Sequence, residues 1–385
     1  MDMELPESHQ MLRDTVREFA EQEIKPVAGE LDEKEEFSVE LTHKMGELGL
    51  FGIFLPEEYG GQGMDYLAYV IAVEEISRVD GSQGATIAAG NSLGLGPIYY
   101  FGSEEQKRKY LPELCAGKKL FAFGLTEPNA GSDAGGTQTT AKRDGDEWVI
   151  NGSKIFITNA STPITWGSVV QTVTGTRPDG KKEYTTFIVE NGSPGFEARP
   201  MHKKMMWRAS NTSELYFDNC RVKDSAMLGK RGEGFHQMLH TLDSGRLAIA
   251  AMGLGCAQGA LELALEYTAQ RKQFGRPINS FQAIAFRLAG VATEIEAARA
   301  LLYRACWLRD SGRPFAKEAA MAKLYCSEVA LRAVNAGVQA MGGYGLMKEY
   351  GMERYYRDQK LLEIGEGTSE IQRLVIARHL GCKPQ

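Results

Sequence analysis

The residue best placed to do chemistry is a lone carboxylate near the C-terminus. Residues 361–373 read LLEIGEGTSEIQR, with Glu366 between Gly365 and Gly367. Glycine on both sides lets a ligand and the backbone approach that carboxylate closely. Thr368 opens a new helix and Glu370 lies just inside it, so a hydroxyl and free N–H groups face an anion or a ring carbonyl. A carboxylate on a turn facing a ligand is a candidate general base. The same letters also describe an acid-rich helix N-terminus. Local pattern alone leaves both readings open.

Five further stretches could serve such a base. Residues 123–132, FGLTEPNAGS, continue as DAGG to Gly136. Thr126 offers a hydroxyl, and Gly131 and Ser132 open a loop of free amides of the kind that holds phosphate. IFIT at 155–158 offers Phe156 as a flat surface for a planar ring and Thr158 as a hydrogen-bond donor to it. DSGR at 243–246, expected at a helix start, puts Asp243 and Arg246 on one face, as a nucleotide contact or a local salt bridge. RKQFGRPINSFQ at 271–282 carries Arg271, a planar donor suited to pyrophosphate. QAMGGYG at 339–345 ends a helix in glycines that let backbone approach a ligand. Each has a plain alternative as strand, loop or helix end. Gly253 to Gly259 imitates a dinucleotide fingerprint, but with the wrong spacing and inside a helical pattern.

These residues need a scaffold, and composition bounds it. The chain has 385 residues, 43 % hydrophobic and 24 % charged, with net charge −6. That supports two or three packed domains. The acidic balance and scattered Lys and Arg argue against nucleic acid. Six cysteines show no CxxC and no metal-ligand spacing with histidine, which suits reduced thiols in the cytoplasm and no metal. The polar start, MDMELPESHQ, reads as neither signal nor transit peptide. No apolar run is expected to span a bilayer.

Residues 1–120 carry helical periodicity, beginning with 7–28, which Pro26 is expected to end, then 41–50, 66–79 and a helix starting at Ser103. From Lys119 the pattern becomes short strands at 120–125, 147–150, 154–158, 168–173, 184–189 and 214–217. Turn clusters separate them, including Asn151-Gly152. This predicts a small antiparallel sheet or barrel. Beyond Gly232 long helices return at 247–270, 281–309 and 314–341, implying a bundle. The predicted class is α+β multidomain, with domains at 1–120 (helical), 121–231 (β) and 232–385 (helical bundle).

In this order and over this length, the sequence resembles the acyl-CoA dehydrogenase family. TEPNAGSD at 126–133 and QAMGGYG with IGEGTSEIQR at 339–373 look like its two signatures. The resemblance implies a helical, β-barrel and four-helix three-domain fold, FAD, an acyl-CoA substrate, an electron-transfer flavoprotein as acceptor and a homotetramer. Carried onto this chain, it implies that Phe123, Leu125, Thr126, Gly131 and Ser132 hold the flavin and its phosphates, with Ser132 also touching CoA. Phe156 and Thr158 flank the ring, and Thr368 and Glu370 complete the site. Arg271, Phe274, Gln282 and Gln339, Ala340, Met341, Gly342 and Gly343 reach the flavin of a neighbouring subunit. Asp243 and Arg246 contact CoA. Glu366 takes the α-proton while hydride leaves the β-carbon; burial against an apolar acyl chain strengthens it as a base.

The departures are informative. Many relatives have Trp at Phe156. Some carry the base at the position of Gly245, which leaves Glu366 as the candidate here. Glutaryl-CoA-type enzymes carry Arg where this chain has Gly84, which disfavours a dicarboxylic substrate. The residue before the base is usually aromatic; here it is Gly365, which should open roughly 100 Å³ beside the reacting carbons unless Met205 and Met206 refill it. Gly365 and Gly367 therefore border the acyl group, with Asn91 at its far end. The expected reaction is α,β-desaturation of a short but wide acyl-CoA, branched or alicyclic, such as cyclohexanecarbonyl- or cyclohexenecarbonyl-CoA. The competing reading is a flavin-dependent monooxygenase or oxidase on the same fold, which has no use for Glu366.

Overall fold

The computed structural model describes residues 4–384. The chain runs helical, then β, then helical. The first part contains α1 (Glu7–Phe19), α2 (Lys25–Lys34), α3 (Val39–Glu47), α4 (Tyr66–Ser77), α5 (Gly81–Ala89), α6 (Gly96–Phe101) and α7 (Glu104–Cys115). Pro26 does not end the first helix, as its type suggests. A π-turn at Ala20–Ile24 precedes it, and Pro26 sits in the first turn of α2. The wider turn accommodates a residue with no N–H to donate, and the helix continues to Lys34. Ser103 and Gln106 form a reciprocal capping box at the start of α7.

The middle part holds β1 (Leu120–Gly124), β2 (Thr140–Asp144), β3 (Glu147–Thr158), β4 (Thr165–Thr176), β5 (Lys182–Glu190), β6 (Phe196–Pro200), β7 (Thr212–Lys223) and β8 (Met227–Leu228). Their order is β6-β7-β3-β2-β4-β5-β8, with β1 pairing β4. The sheet is mixed rather than antiparallel, because β1 and β2 both meet β4 in parallel. Asn151-Gly152 is a bulge inside β3, not a turn. Gly152 has φ 143°, and a Cβ there would lie 2.6 Å from Thr139 Oγ1 on the neighbouring segment. Glycine is required by that approach, and the strand bends without reversing.

The last part contains α8 (Gly234–Gln270), a tight hairpin of β9 (Lys272–Gln273) and β10 (Arg276–Pro277), then α9 (Gln282–Asp310), α10 (Ala316–Met341), α11 (Met352–Leu362) and α12 (Ser369–His379). Phe274 and Gly275, both at positive φ, form the hairpin tip, so this is a folded turn rather than a plain loop. By length and composition α8 is apolar enough to cross a membrane, contrary to the sequence expectation. Yet 83 % of that window is buried inside the protein, so it is the core helix. The false fingerprint explains how. A Cβ on Gly255 would lie 2.2 Å from Glu74 O, and one on Gly259 2.0 Å from Arg78 O. These glycines let α8 pack against the backbone of α4. Asp310, at the end of α9, accepts from the Tyr66 and Leu67 N–H groups and so caps α4. The first and last parts thereby share one hydrophobic core.

Candidate active site

Glu366 lies on the turn between α11 and α12. Its φ is 53° and that of Gly367 is 96°, so two successive residues are left-handed. For glutamate this conformation costs energy and persists only where the surroundings enforce it. Three contacts do so. Gln372 Nε2 donates to Gly367 O at 2.8 Å and to Glu366 O at 3.3 Å, and Lys323 Nζ donates to Gly367 O at 2.8 Å. Thr368 caps α12 by accepting from Ile371 N–H.

The turn aims the carboxyl inward at α8. Glu366 Oε2 is buried and has no hydrogen-bond partner. It would lie 2.0 Å from a Cβ on Gly245, so the carboxyl occupies the space that a side chain at 245 would take. Burial pushes its pKa up to about 7, although the Arg246 and Lys323 cations pull the other way. A carboxyl poised near neutrality with a bare oxygen is suited to accept a proton.

The neighbouring positions differ from expectation in places. Asp243 and Arg246 pair with each other but stand inside α8, not at a helix start. Arg246 is buried beside the base, with Nε unpartnered. Asn91 is fully buried and spent: its Oδ1 accepts from Gly52 N–H, and its Nδ2 donates to Leu50 O and Ile87 O. It ties two backbone segments together and has no group left for substrate. A Cβ on Gly84 would lie 2.1 Å from Ser77 Oγ, so no side chain fits there without a shift. Gly365 has an ordinary φ, and the nearest atoms to a Cβ there, all of Leu361, are 3.4–3.8 Å away. Nothing in the backbone demands glycine at 365. Met205 is exposed and Met206 is half-buried against the main core, so Met205 is not packed inside the protein as a filler of that volume.

Phe156, at φ 61°, is 62 % exposed, and Thr158 is half-buried two residues on. A bulge in β3 turns this phenyl ring outward as an open platform. Phe123 lies in β1, Leu125 and Thr126 follow its end at Gly124, and Gly131 has no atom within 4 Å of a would-be Cβ. Sequence reading missed what pins this loop. Lys154, fully buried, pairs with Glu127 at 2.8 Å and donates to Leu125 O. Glu127 also accepts from the Gln138 and Thr139 N–H groups. Burial pushes Lys154 down to about 8 despite that partner. Arg271, Phe274, Gln282, Gln339, Gly342 and Gly343 are exposed, whereas the Ala340 and Met341 side chains are buried in the core and can offer only backbone. Glu370 is exposed in the first turn of α12.

Comparison with known proteins decides the family. Family models described as the acyl-CoA dehydrogenase N-terminal, middle and C-terminal domains match residues 6–118, 122–220 and 232–381. The chain belongs to the acyl-CoA dehydrogenase family. It is 54 % identical to the probable acyl-CoA dehydrogenase YngJ of Bacillus subtilis, over 99 % of this chain and 100 % of that one. It is 45 % identical to the 3-(aryl)acrylate reductase of Clostridium sporogenes, over 97 % and 98 %. Among solved structures, butyryl-CoA dehydrogenase of Megasphaera elsdenii superposes with TM-score 0.95 at 42 % identity, covering 99 % and 100 %. A chain from a study of the electron transferring flavoprotein of Acidaminococcus fermentans gives 0.94 at 46 %, covering 99 % of each. Acyl-CoA dehydrogenases bind FAD, and this chain's donor set fits it: an exposed aromatic platform, a strand-end hydroxyl, and an open glycine loop held by a buried ion pair.

Proposed function

We propose that this enzyme desaturates a short, wide acyl-CoA thioester, branched or alicyclic, with Glu366 taking the α-proton. The observation that carries the reading is the Glu366 carboxyl, buried, partner-free at Oε2, raised to about 7 and aimed at α8 over Gly245. At pH 7 about half of such a group is carboxylate, so it can accept the α-proton without a large barrier from its own protonation state. FAD, when bound, supplies the acceptor for hydride from the β-carbon. Phe156 gives the ring a surface and Thr158 a hydroxyl; Arg246 and Lys323 stabilise the ionised base before the reaction. The missing side chain at 365 supports a wide acyl group. A relative named for aryl-substituted acrylates fits a bulky β-substituent.

Electrons then pass to an electron-transfer flavoprotein, a reading supported by the structural relative from work on that protein. A homotetramer is supported by the apolar surface at Phe274, Phe286 and Leu346, which are 92, 68 and 68 % exposed in the single chain. The test is anaerobic titration of the purified flavoprotein with straight, branched, alicyclic and dicarboxylic acyl-CoAs, following flavin absorbance. Fastest bleaching by the alicyclic or branched members is expected. Equal or faster bleaching by butanoyl-CoA overturns the wide-pocket assignment, and no bleaching by any thioester overturns the dehydrogenase chemistry.

A further inference from the structure

Lys323 is the least expected charge in the molecule. It sits in α10 among Ala319, Ala320 and Ala322, with no exposed surface. Its ammonium makes no ion pair within 4 Å among the described residues. Its one side-chain hydrogen bond recorded there is to Gly367 O. A buried, unpaired ammonium is costly and is kept only where something offsets it. Here it underlies the left-handed turn that carries the base. Arg246, the other cation near Glu366, is already paired with Asp243.

We propose that Lys323 is a positioning residue for the base: with Gln372 it clamps the Glu366–Gly367 turn, and its unneutralised ammonium is, after Arg246, the second fixed charge favouring the carboxylate. The inference rests on Glu366 being the base. The hydrogen bonds restrain the carbonyl of Gly367 from two sides, since Lys323 and Gln372 both donate to it at 2.8 Å. The turn then cannot relax to an ordinary φ without abandoning both donors. The charged and titratable groups facing the pair are Arg246 on α8, Tyr66 and Tyr69 on α4, Glu363 at the end of α11 and Glu370 on α12. Of these only Arg246 adds positive charge, and Asp243 holds it. Burial pushes Lys323 down to about 8, so it remains mainly an ammonium at neutral pH.

The test is the pH profile of anaerobic flavin reduction at saturating acyl-CoA in the holoenzyme, for wild type, Lys323→Met, Lys323→Gln and Glu366→Gln. Lys323→Met keeps the volume and removes both charge and donor. Lys323→Gln keeps a donor and removes the charge. Both should move the acid limb up by about 1 pH unit, the low end for loss of a neighbouring opposite charge. That predicts about a fivefold loss at pH 7, recovered at higher pH. Lys323→Met should lose rate additionally at every pH, because the turn is released. If Lys323→Met does not fold, Lys323→Gln alone decides the charge. A limb that stays at its wild-type position, with only a uniform rate loss, overturns the proposal and leaves Lys323 a structural prop. Glu366→Gln separates the two levels: if it still reduces flavin at near wild-type rate, the base assignment itself has failed.

Discussion

Substitution of Gly365 by phenylalanine tests the acyl-pocket argument most directly, because the backbone accepts it. The φ at 365 is not left-handed, and the closest contact of a new Cβ is 3.4 Å to Leu361 O, an ordinary van der Waals distance. Removing a glycine also restricts the unfolded chain, stabilising by about 0.4–1 kcal/mol where the conformation is compatible. The variant should therefore fold and melt no lower than wild type. Its ring, one residue before the base, would take space that a wide acyl group needs. Excluding three to four ring carbons at about 0.8 kcal/mol per buried methylene removes about 2.4–3.2 kcal/mol. At 1.36 kcal/mol per decade this is about 60- to 200-fold in kcat/KM for cyclohexanecarbonyl-CoA. Butanoyl-CoA, which does not need that space, should change by less than about fivefold on the same scale. The assay is steady-state turnover of both thioesters with an artificial acceptor, alongside a melting curve. If both substrates lose rate equally in a well-folded variant, or if the alicyclic one is unaffected, the open volume at 365 does not set specificity.

Three other outcomes follow from the geometry. Glu366→Gln should abolish flavin reduction yet raise stability at pH 8: the folded pKa of about 7 exceeds the ordinary 4.5, so the folded state holds more protons and loses stability as pH rises between those values. The gain should be about 1–3 kcal/mol at pH 8 and near zero at pH 4, read by chemical denaturation, and equal stability at both pH values would refute the buried-base account. Gly245→Ala should lower kcat by about 100-fold through a misplaced base without lowering the melting temperature, because alanine suits a helix interior better than glycine; unchanged kcat would show that the carboxyl does not work where it lies. Lys154→Met leaves Glu127 buried and unpaired, so it should cost about 3–5 kcal/mol of stability and release FAD on dilution; full retention of flavin with unchanged stability would remove the ion pair's assigned part in holding the loop.

The parts of this enzyme that were legible in the sequence are those written in local pattern. The Gly-Glu-Gly turn followed by a Thr cap was readable because glycine and N-cap residues act within a few positions of themselves. The helical–β–helical order was readable from periodicity. Failures came where one local signal has two tertiary outcomes. Asn151-Gly152 reads as a hairpin turn, but Thr139 lies against Gly152 and the strand carries on with a bulge. Pro26 reads as a stop, but a π-turn absorbs it. DSGR reads as a helix start, but lies deep within a 37-residue helix.

Buried charge was the hardest to read, and it is where the site is made. Lys154 and Lys323 are single lysines, a residue type that composition alone would place at a surface. Nothing within several residues of either says it is buried. Lys154 is sealed because Glu127, twenty-seven positions away, pairs with it beneath the loop that follows β1. Lys323 is sealed because the turn bearing Glu366, more than forty positions on, folds over it. Both lysines reach backbone carbonyls of the loops they support, Leu125 O and Gly367 O. The cost of burying each ammonium is thus tied to a loop it supports: one after β1, beside the exposed Phe156, and one carrying the proposed base. Periodicity cannot show this, because the pattern of a helix or strand records which face is buried only when the buried residue is apolar. A cation on the buried face looks like a break in the pattern, and in this chain such breaks mark the supports of the active site.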